Sequence, residues 1–163
     1  MAYEGEVLTV SDPEVLTFTG ATVVIVSGDG PNVCGHALLY TYGGPAPHYF
    51  QVAGVYDYPR YLDEDGYQRY LREAGKTELT RIPGNITNSQ GAQDLLEILM
   101  SRKWVWGVLP HNCIEFVERV LVAGGSDFRT RTNCPTLSKV QQDAESALQQ
   151  LDREIRQLYG VPY

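Results

Sequence analysis

The period of the apolar residues changes halfway along the chain, and that change decides what the chain can fold into. From His36 to Tyr42 the pattern repeats every two residues, with His36, Leu38, Tyr40 and Tyr42 on one face and Ala37, Leu39 and Thr41 on the other. From residue 89 onward it follows helical spacing: Leu95, Leu96, Leu99 and Met100 form one stripe, and Cys113, Phe116, Val117, Val120 and Leu121 form another. Strands gathered in the first half and helices in the second predict an α+β fold, an antiparallel sheet packed against helices. At 163 residues the chain is expected to be one domain over 1–163.

The first thirty residues read as β-structure, with a buried strand over 21–27 closed by the turn cluster Ser27-Gly-Asp-Gly-Pro31. The strand from Gly35 to Tyr42 breaks at Gly43-Gly-Pro-Ala-Pro47 and resumes from Tyr49 to Val55, which predicts a hairpin. Residues 56–75 fit one or two short amphipathic helices, and Glu78 to Ile82 a further strand. A helix over 89–103 takes Ser89 as its N-cap. A second starts at Asn112 or Cys113 and stops at Gly124-Gly125. The tail over about 138–159 predicts an amphipathic helix that packs by the narrow stripe of Val140, Ala144, Leu148, Leu151, Ile155 and Leu158.

Thirteen basic against twenty acidic residues give a formal charge of −7, which disfavours nucleic acid and anionic membranes as partners. No apolar run approaches the ~20 residues of a transmembrane helix, so no stable membrane insertion is expected. The start, Met1-Ala-Tyr-Glu-Gly-Glu, carries no Sec-type signal pattern. The chain is therefore expected to be made in the cytoplasm and, if exported, to leave by a specialised route.

Only three cysteines and three histidines are present, so their placement is informative. Cys113 falls in the first turn of a predicted helix, where unpaired N–H groups and the helix dipole stabilise a thiolate and could cradle an oxyanion. Its plain alternative is a small apolar residue on the buried stripe. A thiolate nucleophile needs a base, most often histidine. His111 sits two residues away on the turn, a poor geometry, and reads as a solvated or capping residue. His36 opens a strand after Cys34-Gly35, where a rigid pair with a helix N-terminus is feasible; otherwise it is a half-buried core histidine. His48 follows the hairpin prolines and could orient His36 or merely decorate a turn.

The Gly-His-Ala-Leu-Leu-Tyr strand, its hairpin, and the later Asn-Cys-Ile-Glu-Phe-Val helix together resemble the circularly permuted NlpC-like papain superfamily, which includes lecithin retinol acyltransferase and bacterial relatives. The resemblance covers the His36 hairpin and residues 104–125, about a quarter of the chain. It implies a permuted papain-like fold in which the histidine precedes the cysteine, with Cys113 as nucleophile and His36 as general base. In that family a third polar residue orients the base from the paired strand. A spacing of twelve selects His48, as in acyltransferase-like members, but requires folding about residue 42 and puts Pro45 and Pro47 inside the returning strand. Folding about Gly43-Gly44 pairs His36 with Gln51. A loop over 43–47 sets His36 nearer Gly54, where neither side chain lies opposite. Gln51 is the preferred third residue, with His48 next; a glutamine carbonyl can hold an imidazole tautomer.

The remaining thiols have plainer readings: Cys34 packs on the strand or lines the site, and Cys134 repeats an Asn-Cys dipeptide without a following amphipathic helix. With no secretory signal, a disulfide is not expected. Cys34, His36, His111 and Cys113 could instead supply a Cys₂His₂ zinc site, although their one-residue spacings are shorter than usual. The tyrosines between 40 and 70 could form a sugar- or peptide-binding groove, or simply pack. Asn85-Ile-Thr87 matches a glycosylation sequon by chance.

These readings converge on a cysteine hydrolase that forms an acyl-enzyme and needs no cofactor or metal. The resemblance implies an amide or ester substrate: a peptidoglycan peptide, a lipid ester or a protein isopeptide. A cell-wall amide is preferred, which would make the chain an antibacterial effector accompanied by a secretion or immunity partner. A lipid-ester hydrolase or acyltransferase, a non-catalytic binding module and the zinc site are the alternatives.

Overall fold

The computed structural model describes residues 1–9, 12–28, 34–105, 113–129 and 139–160, with backbone alone over 139–146. The elements run β1 (Glu6–Val7), a 3₁₀ turn (Pro13–Leu16), β2 (Gly20–Val26), β3 (His36–Tyr42), β4 (His48–Gln51), β5 (Tyr56–Asp57), β6 (Arg60–Leu62) and α1 (Glu64–Glu73). They continue with β7 (Glu78–Pro83), α2 (Ser89–Met100), β8 (Trp104–Val105), α3 (Cys113–Ala123) and α4 (Lys139–Tyr159). The fold is α+β. Its main sheet has the order β1-β6-β4-β3-β2-β7, with every pairing antiparallel, and β5 and β8 form a separate ribbon.

β2 is the run Gly-Ala-Thr-Val-Val-Ile-Val, and its apolar continuity follows from being covered on both faces. Val23 and Ile25 join Ala37, Leu39 and Phe50 in packing against α2 and α3, through Leu96, Phe116, Val117, Val120 and Leu121. Val24 and Val26 join Leu38, Tyr49 and Leu62 on the other face, against Tyr67 and Tyr70 of α1. Tyr49 and Tyr67 stack at 3.9 Å, with their hydroxyls donating to Glu64 at 2.9 Å and to Glu78 at 2.7 Å. Tyr49, Tyr67 and Tyr70 are thus core residues, whereas Tyr42, Tyr56 and Tyr58 of the same tyrosine-rich stretch are exposed.

Several local expectations are corrected. Of the first thirty residues only Glu6–Val7 and Gly20–Val26 are strand among the described ones, because Pro13 starts a 3₁₀ turn instead. The second hairpin strand ends at Gln51 rather than continuing to Val55. Residues 56–75 hold two short strands and one helix, capped by Asp63 accepting from Gly66 N–H at 2.7 Å. α2 is capped by Asn88, not Ser89: the Asn88 side chain accepts from Gly91 N–H at 3.1 Å, and the helix ends at Met100. The tail does form a helix, but along the described part of its stripe Leu148, Leu151, Ile155 and Leu158 are exposed rather than packed. Among the described residues no helix is long and apolar enough to cross a membrane.

Candidate functional site

The hairpin register determines what His36 can reach. β3 and β4 pair Leu39 with Phe50, Tyr40 with Tyr49 and Thr41 with His48, so the connection is the five-residue loop 43–47. Gly43 takes φ +79, and a Cβ on Gly44 would run into the Thr17 carbonyl, so this loop needs both glycines. In this register Gln51 falls opposite Leu38, one diagonal step from His36 and on the same face. A long side chain spans that diagonal. The expectation that a 43–47 loop leaves neither candidate in reach is therefore corrected: Gln51 Oε1 lies 2.7 Å from His36 Nε2.

His48 goes elsewhere. Strand alternation turns it, with Thr41, to the face opposite His36, where it is buried with its ring 5.8 Å from that of Tyr61. Burial pushes its proton affinity below the ordinary histidine value.

Cys113 begins α3 and is 5% exposed. Helix formation there follows from the buried stripe Phe116, Val117, Val120 and Leu121, which presses α3 onto the sheet; Phe116 meets Trp104 edge to face at 5.6 Å. That docking brings the sulfur to the start of β3. His36 and the backbone N–H groups of Ala37 and Ile114 are the groups that act on the Cys113 sulfur, by charge and by hydrogen bonding. Burial pushes the thiol up, yet the charge and hydrogen bond of His36 and the two N–H groups bring it below the ordinary thiol value. Burial likewise pushes the His36 imidazolium down. Cys113 and the hydrogen bond that His36 donates to Gln51 raise it above the ordinary value, against the opposing charge of Lys76. Each group shifts toward its charged form, which favours a thiolate–imidazolium pair.

No family model, curated protein or solved structure matches this chain.

Among the expected site residues, the structure brings Cys113, His36 and Gln51 together. His111, Asn112 and Cys134 lie outside the described residues. Cys34 is not on the strand, which begins at His36, and the expectation of reduced thiols is corrected: Cys34 is disulfide-bonded, whereas Cys113 is free. A disulfide sulfur is no thiolate ligand, so the Cys₂His₂ alternative loses one member. Among the described residues no group of three or more His, Cys, Asp and Glu side chains is placed to hold a metal ion.

Sequence reasoning missed two contributors. The Ala37 N–H and the Glu4 carbonyl, which accepts from Gln51 Nε2 at 2.8 Å, are main-chain groups that no residue pattern advertises. A cavity of 410 Å³ reaches His36 and Gln51 and is lined also by Glu4, Tyr70, Glu73 and Lys76. A larger one of 530 Å³, between Leu8, Asp12, Gln93 and Met100, touches none of the three clustered residues.

Proposed function

We propose that the chain is a cysteine hydrolase of the permuted papain-like, NlpC-like kind, cleaving an amide or ester through an acyl-enzyme. The observation that carries this reading is a thiol in the first turn of α3, its proton affinity lowered by a strand histidine that Gln51 holds from behind at 2.7 Å. The order of histidine strand before cysteine helix supports the permuted arrangement. Cys113 attacks the carbonyl carbon while its own N–H, at the start of α3, stabilises the oxyanion. His36 gives its proton to the leaving amine or alkoxide. It then takes one from water, whose oxygen displaces Cys113 from the thioester and releases the acid.

The substrate we infer is a bacterial cell-wall amide, with the chain acting as an antibacterial effector. The Cys34 disulfide favours an oxidising compartment, where peptidoglycan lies, over the reducing cytosol. The charge of −7 disfavours unaided work at an anionic lipid surface, which places lipid esters second.

The test is to expose purified peptidoglycan and a mixed phospholipid panel to wild-type and Cys113→Ala protein. New peptide ends from peptidoglycan with wild type alone are expected. Released fatty acid would move the assignment to the ester reading, and cleavage by Cys113→Ala would overturn the mechanism.

A further inference from the structure

The segment Tyr3–Val7 is fastened against the candidate site at more points than a two-residue edge strand requires. Glu6 and Val7 pair with Tyr61 and Arg60, and just before them the chain bends at Gly5, with φ +102. A Cβ there would come within 2.6 Å of the Tyr61 carbonyl oxygen and 2.9 Å of Leu62 Cγ, so the bend demands glycine. Arg60 secures it, one guanidinium nitrogen donating to the Gly5 carbonyl at 3.2 Å and the other to Asp57 at 3.0 Å. Tyr3 N–H donates to Glu73 at 2.8 Å, and the Tyr3 ring lies 4.3 Å from the Arg69 guanidinium. The bend delivers the Glu4 carbonyl to Gln51 Nε2.

The consequence is a chain of forced assignments. A carbonyl oxygen only accepts, so the Gln51 group facing Glu4 is its NH₂, and Oε1 faces His36. That oxygen also only accepts, so His36 Nε2 carries a proton, and Nδ1 is left for the Cys113 sulfur. One main-chain carbonyl thus determines which imidazole nitrogen serves the thiol.

We propose that the segment Tyr3–Val7 is a positioning element of the site, with Gly5 and Arg60 as its positioning residues, setting the Gln51 amide and through it the His36 tautomer. This rests on the Cys113–His36 reading above.

The test uses full-length Arg60→Ala and Gly5→Ala proteins, following iodoacetamide alkylation of Cys113 by intact mass from pH 4 to 10, beside urea unfolding. The expected result is an acid inflection moved upward and alkylation at pH 6 slowed about tenfold, the worth of one hydrogen bond to a charged group. Should Gly5→Ala not fold, Arg60→Ala, which adds no atoms, carries the comparison. A second readout uses the Cys113→Ala background at pH 9, where histidine ¹⁵N shifts should show His36 as the Nε2–H tautomer, mixed once Arg60→Ala is added. Variants that lose stability but keep the wild-type inflection and tautomer would overturn the proposal and leave the Cys113–His36 pair standing. A wild-type thiol that titrates like an ordinary cysteine would instead overturn the pair and the proposal together.

Discussion

Replacing Gln51 by leucine separates a working third residue from an ordinary buried polar one. Gln51 has no exposed surface and makes two short hydrogen bonds, 2.7 Å to His36 and 2.8 Å to the Glu4 carbonyl. Leucine is close in volume, so no large cavity forms and the cost falls on the two stranded partners. Each unsatisfied buried group costs about 1–3 kcal/mol. The added apolar burial returns roughly 1–2 kcal/mol. The net loss is then about 2–3 kcal/mol, a fall in Tm of about 5–10 °C for a domain of this size. The reactive pair should respond too: without the hydrogen bond that raises the His36 imidazolium, Cys113 is less favoured as thiolate. The acid inflection of iodoacetamide alkylation should therefore move up. Thr41→Val is the control, since Thr41 bonds the His48 carbonyl at 3.3 Å on the opposite face; it should cost about 1 kcal/mol and leave the inflection in place. A Gln51→Leu protein matching wild type in both urea midpoint and alkylation profile would refute the argument.

Three other substitutions have defined outcomes. His36→Ala removes the charge that lowers the Cys113 thiol but leaves the burial that raises it, so alkylation below pH 8 should collapse while Cys34, in its disulfide, stays unlabelled by intact mass. Its stability cost should also depend on pH: the raised proton affinity of His36 stops contributing as pH climbs through its folded value, and the lowered one of Cys113 stops contributing as pH falls through its folded value, so the pair contributes most between the two. Urea midpoints should accordingly differ from wild type most near neutral pH and less toward both acid and alkaline pH, and a difference that stays constant with pH would contradict the paired shifts. Asn88→Ala should destabilise by about 1 kcal/mol in thermal melts while Ser89→Ala stays near neutral, since only the Asn88 side chain caps α2. Phe116→Ala, emptying a fully buried ring site between α3, Trp104 and the sheet, should cost about 3–5 kcal/mol and also loosen the docking that places Cys113, seen as a lower urea midpoint together with slower alkylation.

How much of this was legible depended on which physical signal carried each feature. β2, β3, α2, α3 and α4 announce themselves because burying one face imposes a period on the residues, and period is a property of the chain. Between Tyr56 and Glu73 tyrosines and charges alternate without a clean period, and two short strands ahead of α1 were invisible for that reason. The choice of Asn88 over Ser89 is a matter of one residue's φ and ψ, which neighbouring cap-forming residues leave ambiguous. The exposed stripe on α4 shows the converse, since periodicity records an amphipathic helix without recording whether anything covers it.

The site was legible in its side chains and hidden in its geometry. Chain order and helix capping single out His36 and Cys113, but choosing Gln51 over His48 required knowing which hairpin loop forms, and each plausible loop gives a different opposite residue. The loop that forms puts neither side chain directly across from His36. Face parity decides the outcome instead: His48 is an odd number of pairing steps from the histidine and Gln51 an even number, so only Gln51 shares the face, and its length covers the remaining diagonal. Parity survives a register shift of two residues and fails for a shift of one. A one-residue insertion between Gly44 and Pro47 that was absorbed in β4 rather than in the loop would carry Gln51 to the face packed by α2 and α3 and break the cluster, whereas absorbed in the loop it would leave the cluster whole. The alkylation profile of such an insertion variant reports which occurs. The Thr17 carbonyl pressed against Gly44 favours the loop, because it pins the first half of the turn and leaves residues 45–47 to bulge outward.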